Sequence, residues 1–325
     1  VESSILDRFR ADLDALVSKQ ARIGVAVSGG PDSLALLLLA AAARPDQVEA
    51  ATIDHGLRPE APGEAAFVAS VCSRLNVRHA TLTARWSEMP ETAIQERARN
   101  KRYRLLGYWA EERGLDAIVT AHHAEDQAET VLMRLARGSG VRGLAGMRPR
   151  SVSPGAHIRL VRPLLGWRHA ELEQICQAAG MEAVADPSNE DERFERVRVR
   201  RALAAMDWLD AGAVAHSAAI LADADAALDW AAKIEWDDCV QEKRGSVIYR
   251  PSDAPHEIVR RVVGRAIRKL ATEGEFEPRG AELSRLVSTL LEGGTGTLRG
   301  VLCRGGAEWH FVPSPNRTRP VDNFE

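Results

Sequence analysis

Short apolar runs and longer helical patterns alternate along most of the chain. "RIGVAV" (22–27) reads as a buried parallel strand, and "VEAATID" (48–54), "RHATLTA" (78–84) and "LDAIVTA" (115–121) read as further strands. Helical patterns fill the gaps from Ser33 onward, over about 63–75, over about 91–113 and over about 124–137. "HIRLVRPLL" (157–165) predicts a last strand, followed by a helix over about 168–179. Strands alternating with helices predict an α/β fold, a doubly wound parallel sheet whose ligands lie at the carboxyl ends of the strands. From about residue 210 the texture changes. "AVAHSAAILADADAALDWAAKIEW" is a long Ala-rich helix, while "HEIVRRVVGRAIRKLA" and "AELSRLVSTLLEG" are amphipathic ones. "GTLRGVLCRGGAEWHFVP" predicts a hairpin turning at Gly305-Gly306. Two domains are therefore expected: an α/β one over 1–209, and a smaller, mostly helical one over 210–325 that contains the hairpin.

The junction "VAVSGGPDSLALLLLAAAA" (25–43) carries the first chemical signal. Gly29 and Gly30 permit a sharp turn and close backbone approach, and the N–H groups of the helix that follows favour an anion. Ser28 and Ser33 add hydroxyl donors, which makes phosphate the natural guest. The lysine of the common G-x-x-x-x-G-K-[ST] loop is missing, and Asp32 stands in the turn instead. An acid beside a phosphate makes sense if Mg²⁺ lies between them, or if the carboxylate holds the loop.

A second cluster, "TAHHAEDQAETVLMRLARGSG" (120–140), ends a strand and opens a helix. Asp126, Glu129 and Met133 share one helix face, and the carboxylates should look across the cleft at the phosphate loop. Acids in a first helical turn also favour the helix dipole, which by itself would explain Glu125 and Asp126. H-H-x-x-D is not a zinc spacing, so no zinc is expected. Two basic runs, "ERARNKRYR" (96–104) and "RFERVRVRR" (193–201), offer local attraction for a polyanion; either could also be an ordinary solvated helix face.

Composition adds bounds. In 325 residues, 45 % are apolar, enough for real cores, and no run is long enough to cross a bilayer. Cys72, Cys176, Cys239 and Cys303 are widely spaced, with no C-x-x-C and none near a motif in sequence. A reducing, cytoplasmic setting is expected. The net charge of −3 does not advertise nucleic-acid binding, so the local arginines would have to supply it.

"SGGPDS" resembles the signature of the PP-loop ATP pyrophosphatases, which bind ATP by its pyrophosphate end and leave an adenylate on the substrate. "TIDHGLR" (52–58), "ARNKRY" (98–103), the 120–140 cluster, "RPLL" (162–165) and "DPSN" (186–189) follow in an order similar to that of the bacterial tRNA(Ile)-lysidine synthetases. The likeness spans roughly residues 20–205. The family's R-N-x-x-R after "DPSN" is replaced here by Arg196-Val197-Arg198-Val199-Arg200.

The resemblance implies a reaction: ATP-dependent joining of L-lysine to C2 of the wobble cytidine in the CAU anticodon of tRNA(Ile). An adenylated tRNA would form first, with release of pyrophosphate and then AMP, and the lysidine would change specificity from Met to Ile. It also implies roles. Ser28, Gly29, Gly30, Pro31, Asp32 and Ser33 would bind ATP; Asp32 and Asp126 would hold Mg²⁺; His122 and Glu129 would bind lysine. Asp32, Asp126, Glu129 and Arg196 would form the catalytic set. Arg97, Arg104, Arg193, Arg198 and Arg200 would meet tRNA, with Arg196, Arg198 and Arg200 serving phosphates of either ATP or tRNA. A homodimer is compatible with the sequence. Three other classes are weaker fits: a tRNA thiolase needs cysteine chemistry, a glutamine-dependent synthetase needs a glutaminase domain, and a noncatalytic nucleotide-binding module needs neither Asp126 nor Glu129.

Overall fold

The computed structural model describes residues 2–54, 56, 61–84, 86, 94–154, 156–181, 195–271 and 280–314. In chain order the first elements are α1 (Ser3–Asp14), β1 (Ile23–Ala26), α2 (Pro31–Ala43), β2 (Val48–Asp54), α3 (Ala61–Arg74), β3 (Arg78–Thr83), α4 (Ile94–Glu112) and β4 (Ala117–Val119). Then come α5 (Ala124–Ala136), the one-turn α6 (Val141–Leu144), β5 (Arg150–Val152), β6 (Arg159–Val161), α7 (His169–Ala178) and α8 (Glu195–Ala204). The strands form one sheet in the order β3-β2-β1-β4-β6-β5. All neighbours are parallel except β5, which runs antiparallel to β6 at the edge.

Strand order reverses between β1 and β4, with Ile23 registered against Val48 on one side and Ala117 on the other. This is the switch point of the sheet, where the carboxyl ends of two neighbouring strands lead away in opposite directions and leave a crevice. The phosphate loop and the 120–126 segment both begin there.

Helices cover both faces. On one, Phe9, Leu13, Leu36, Leu39, Val68 and Leu172 pack against Ile23 and Val25. On the other, Tyr103, Leu106 and Trp109 of α4 pack against Ile118 and Leu160. The apolar all-round pattern of α2 follows from its position, since Leu34 through Ala40 are all buried. Gly24 lets α4 approach β1 closely: a Cβ there would lie 2.5 Å from the Trp109 ring. Gly24→Ala should therefore destabilise the fold by about 1–3 kcal/mol, the usual range for overpacking, read as a lower Tm. An unchanged Tm would show that Trp109 can move aside.

The chain packs as two compact units, Val1–Gly138 with Gly143–Ile220, and Ser139–Arg142 with Leu221–Glu325. The division falls inside the long helix α9 (Ala211–Cys239), not at the 209/210 boundary expected from composition.

The second unit continues with β7 (Val240–Lys243), β8 (Ser246–Tyr249), α10 (His256–Leu270), α11 (Gly280–Leu291), β9 (Thr295–Leu298), β10 (Val301–Arg304) and β11 (Trp309–Pro313). Its strands form an antiparallel sheet in the order β7-β8-β11-β10-β9. Tyr249, Val263, Ile267, Val287, Leu290, Trp309 and Phe311 make its core. The hairpin between β10 and β11 does turn at Gly305-Gly306. Helices α9, α10 and α11 supply more of this region than its strands do, as expected, and the expected hairpin is part of a five-stranded sheet. β7 and β8 are four residues each, and "VQEK" has no apolar alternation to betray it.

Candidate active site

The phosphate loop is a turn braced by its own hydroxyls. Gly29 has a φ of 93°, a conformation that favours glycine. Ser33 Oγ donates to the Gly30 carbonyl at 2.9 Å and accepts from Ser28 N and Ser28 Oγ at 3.1 and 3.2 Å. Pro31 occupies the first turn of α2, where its missing N–H costs nothing. Among the described residues no side chain caps this helix end, and a Cβ built on Gly30 would meet Ser28 Oγ alone, at 3.8 Å. The loop is thus open on the side that a phosphate would approach.

Asp32 is gripped by two histidines. His169 Nδ1 lies 2.7 Å from Oδ1, and His123 Nε2 lies 3.4 Å from Oδ2. Burial works against the Asp32 charge, but the hydrogen bonds with His123 and His169 overcome it and hold the carboxyl below the usual carboxylate range. His123 is buried, which opposes its protonation; its hydrogen bonds to Asp32 and Glu125 and the charge of Asp126 nonetheless push it up to about 10. His169 is raised chiefly by its bond to Asp32. The two imidazoles stack, with centroids 5.3 Å apart. Glu125 fixes the pair from behind, taking His123 Nδ1 at 2.8 Å and His169 N at 3.0 Å.

Asp126 opens α5 as a capping residue, accepting from His123 N at 3.2 Å. Its other oxygen accepts from Arg196 Nη2 at 2.9 Å. Glu129, one turn on, has a side chain only 1 % exposed, and both of its oxygens are engaged. Arg196 Nε donates to one and Arg200 Nε to the other, each at 2.6 Å. The arginines of α8 are therefore locked onto the acids of α5. The sequence reading assigned Glu129 to lysine and did not anticipate these two arginine partners.

A cationic cluster lies beside these acids. His122, hydrogen-bonded to Thr120 Oγ1 at 2.9 Å, is held neutral, well below its usual value, by burial and then by Arg162, Arg102, Arg99 and Arg196. Arg99 and Arg102 sit over the Tyr103 ring at 5.2 and 4.9 Å. Arg102 donates to Tyr103 OH at 3.2 Å, and Arg162 to the Arg148 carbonyl at 2.7 Å and to Ser151 Oγ at 3.1 Å. These partners are neutral, and the Nε atoms of Arg102 and Arg162 are buried without a partner among the described residues.

The sequence reading passed over Arg99, Arg102, Arg162 and His169. "ARNKRY" does contain the first two, but the reading followed the opposite face of α4. On that face Arg97 is exposed, and so is Arg104, which reaches Tyr108 OH at 3.5 Å. Arg198 is exposed on α8. Arg193 and "DPSN" lie outside the described residues. One further correction concerns cysteine. Cys176, remote in sequence, donates from Sγ to the Pro31 carbonyl at 3.2 Å behind the phosphate loop. Burial pushes its thiol up to about 11, which suits packing and not nucleophilic chemistry.

The donor set can be tested against a metal. The Oδ2 atoms of Asp32 and Asp126 approach His123 Nε2 at 3.4 and 3.5 Å, so two carboxylates converge on a point where a protonated nitrogen now supplies positive charge. Two carboxylates completed by substrate phosphates suit Mg²⁺. Ligand atoms of Asp32, His123 and His169 also lie within 4.8 Å of one another.

Comparison with known proteins places this geometry. A family model described as the PP-loop domain matches residues 3–206. A tRNA(Ile)-lysidine synthase of Novosphingobium aromaticivorans is 48 % identical over 96 % of this chain and 95 % of its own. One from Zymomonas mobilis is 43 % identical over 92 % and 91 %. Among solved structures, a U34-tRNA thiolase from Methanococcus maripaludis superposes with a TM-score of 0.55 at 15 % identity, covering 66 % of this chain and 77 % of its own. At that identity the likeness speaks for the fold alone. The chain belongs to the tRNA(Ile)-lysidine synthase family, a family of ATP-using PP-loop enzymes.

Proposed function

We propose that this enzyme joins L-lysine to C2 of the wobble cytidine in the CAU anticodon of tRNA(Ile), with ATP as the activating substrate. The C2 carbonyl of cytosine is a poor electrophile, and its oxygen is a poor leaving group. Attack of that oxygen on the α-phosphorus releases pyrophosphate and leaves a tRNA adenylate. The lysine ε-amine then adds to C2, and AMP departs with the oxygen. The base now pairs with A in place of G, so the tRNA is read as Ile and no longer as Met.

One observation carries this reading: the switch point joins an open phosphate loop, a pair of acids and an arginine cluster with no acidic partner among the described residues. Ser28 through Ser33 bind the ATP phosphates. Asp32 and Asp126 would hold Mg²⁺, which when bound would offset charge on the departing pyrophosphate. The cationic cluster of Arg99, Arg102 and Arg162 receives a phosphate of ATP or tRNA, and its buried, unpartnered Nε atoms support that assignment.

Lysine needs a proton removed. With an ordinary pKa of about 10.4, the free amine carries a handicap of roughly 4–5 kcal/mol at neutral pH. Glu129 is the group we assign to orienting it, with neutral His122 nearby. Because Arg196 and Arg200 already occupy Glu129, an arriving ammonium exchanges with one of them and frees a guanidinium for phosphate. ATP-dependent pyrophosphate release tests the reading: it should require tRNA(Ile) with C34 and be lost when that base is replaced by U. Release that ignores the base at position 34 would contradict it.

The exposed arginines of α4 and α8 attract the tRNA. Arg104→Ala should weaken tRNA binding and lower the magnitude of the log K against log salt slope by about 0.7–0.9, the signature of one phosphate contact. ATP binding without tRNA should not move. A salt titration with an unchanged slope would make this face ordinary solvated surface.

A further inference from the structure

The two oxygens of Asp32 are held differently. Oδ2 lies 3.4 Å from His123 Nε2, the same nitrogen that stands 3.5 Å from Asp126 Oδ2. Oδ1 is taken from another side, by His169 Nδ1 at 2.7 Å. An ionised carboxylate can only accept, so the imidazole donates. A carboxylate left to itself turns about its last side-chain bond over a broad, two-fold profile. A donor fixed on one oxygen removes that freedom. The bond from His169 therefore decides where the other oxygen points.

His169 is itself built in. Its backbone N donates to Glu125 Oε2 at 3.0 Å, and the same oxygen takes His123 Nδ1 at 2.8 Å. Its ring stacks on that of His123 at an interplanar angle of 29°. Glu173, one turn along α7, lies 3.3 Å from Nε2. The helix beneath the ring is anchored independently. Ala124 N, at the start of α5, donates to the Trp167 carbonyl at 2.9 Å, and Cys176 Sγ donates to the Pro31 carbonyl at 3.2 Å. Leu172 and Ile175 are buried in the same core as the leucines of α2. These contacts already join α7 to α2 and α5, so the imidazole is not needed as a fastener.

We infer that His169 is a positioning residue for the cation-binding carboxylate: it holds Asp32 Oδ1 so that Oδ2 converges with Asp126 on one divalent ion. The inference rests on the assignment of Mg²⁺ to Asp32 and Asp126 made under the proposed function. A carboxylate ligand is oriented by the group that bonds its outer oxygen, and loss of such a partner costs about 10- to 100-fold in metal affinity. His169 acts through Asp32 and not on a reacting atom. Its effect belongs to the metal-dependent, pyrophosphate-releasing step, and tRNA binding is outside its reach.

The test uses the whole chain and two variants. His169→Leu keeps bulk and deletes the donor, while His169→Asn places an amide N–H where Nδ1 stands. Pyrophosphate release is followed with ATP and a tRNA(Ile) transcript, without lysine, over a range of Mg²⁺. Half-maximal release should need about 10–100 times more Mg²⁺ in His169→Leu, with the rate at saturating Mg²⁺ within about threefold of the parent. His169→Asn should need no more than about three times the parent concentration. A second readout does not depend on turnover. Mn²⁺ binding with ATP and no tRNA, read from the electron paramagnetic resonance of the free ion, should weaken by the same factors. An unchanged Mg²⁺ requirement in His169→Leu would overturn the inference. So would a rate loss that excess Mg²⁺ does not repair, which would make the contact a brace of the loop. Equal loss of Mn²⁺ binding in both variants would overturn it too, by making the imidazole a ligand in its own right. Pyrophosphate release by the parent that needs no divalent ion would instead overturn the Mg²⁺ assignment on which the inference rests.

Discussion

Asp32→Asn should cut tRNA adenylation by about 10²–10³-fold, the loss usual when one preorganised electrostatic group is removed from a reacting phosphate site. The substitution keeps the shape of the side chain and deletes its charge. That charge holds His169 at 2.7 Å and His123 at 3.4 Å, and it is half of the carboxylate pair assigned to Mg²⁺. Both effects fall on the pyrophosphate-releasing step. Binding of tRNA should be unaffected, and the Tm should fall little, because the group lies at the rim of the crevice and not in the core. Excess Mg²⁺ should restore part of the rate. Pyrophosphate release measured in the absence of lysine reads the step directly. A normal rate would remove Asp32 from the mechanism.

Glu129→Gln separates the two chemical steps. The parent carboxylate holds Arg196 and Arg200 at 2.6 Å each, and a hydrogen bond to a charged group contributes about 1.5–3 kcal/mol. An amide has one oxygen and no charge, so it can keep at most one of the two arginines and attracts an ammonium poorly. Lysine transfer from a preformed tRNA adenylate should slow by about tenfold to a hundredfold, or the lysine KM should rise by that factor, while adenylation without lysine falls less. If both steps fall equally, Glu129 serves the ATP site through its arginines, and the assignment to lysine is wrong.

The parts of this site that sequence made legible are those in which one short string carries both geometry and chemistry. "SGGPDS" sits at a strand-to-helix junction, and its glycines, serines and acid need no remote partner to be understood. The acids of "HHAEDQAE" follow from the helical period, and they do lie at the neighbouring strand end. What was hidden depends on the fold bringing distant residues together. His169 is 137 residues from Asp32, and nothing in its own helix marks it out. Arg162 and Arg102 form one cluster only because β6 and α4 meet on the same side of the sheet. Cys176 behind the phosphate loop is a product of the same packing. The arginine partners of Glu129 were not foreseen, because periodicity gives the face of a helix and not the partner that covers it. In the second unit, the short strands β7 and β8 owe their structure to sheet pairing and not to local alternation. Arg193 and "DPSN" lie outside the described residues, so the tRNA contact assigned to Arg193 stays a proposal.

The central claim is that one crevice carries out both ATP-dependent activation of the wobble base and transfer of lysine to it. The most direct measurement incubates the chain with ATP, Mg²⁺, labelled lysine and a tRNA(Ile) transcript bearing CAU, and follows label, AMP and pyrophosphate together. The account predicts label in the tRNA at C34, with one AMP and one pyrophosphate formed per lysine transferred, and no label when C34 is replaced. ATP split to ADP and phosphate, or lysine left free while AMP accumulates with the parent tRNA, would contradict it.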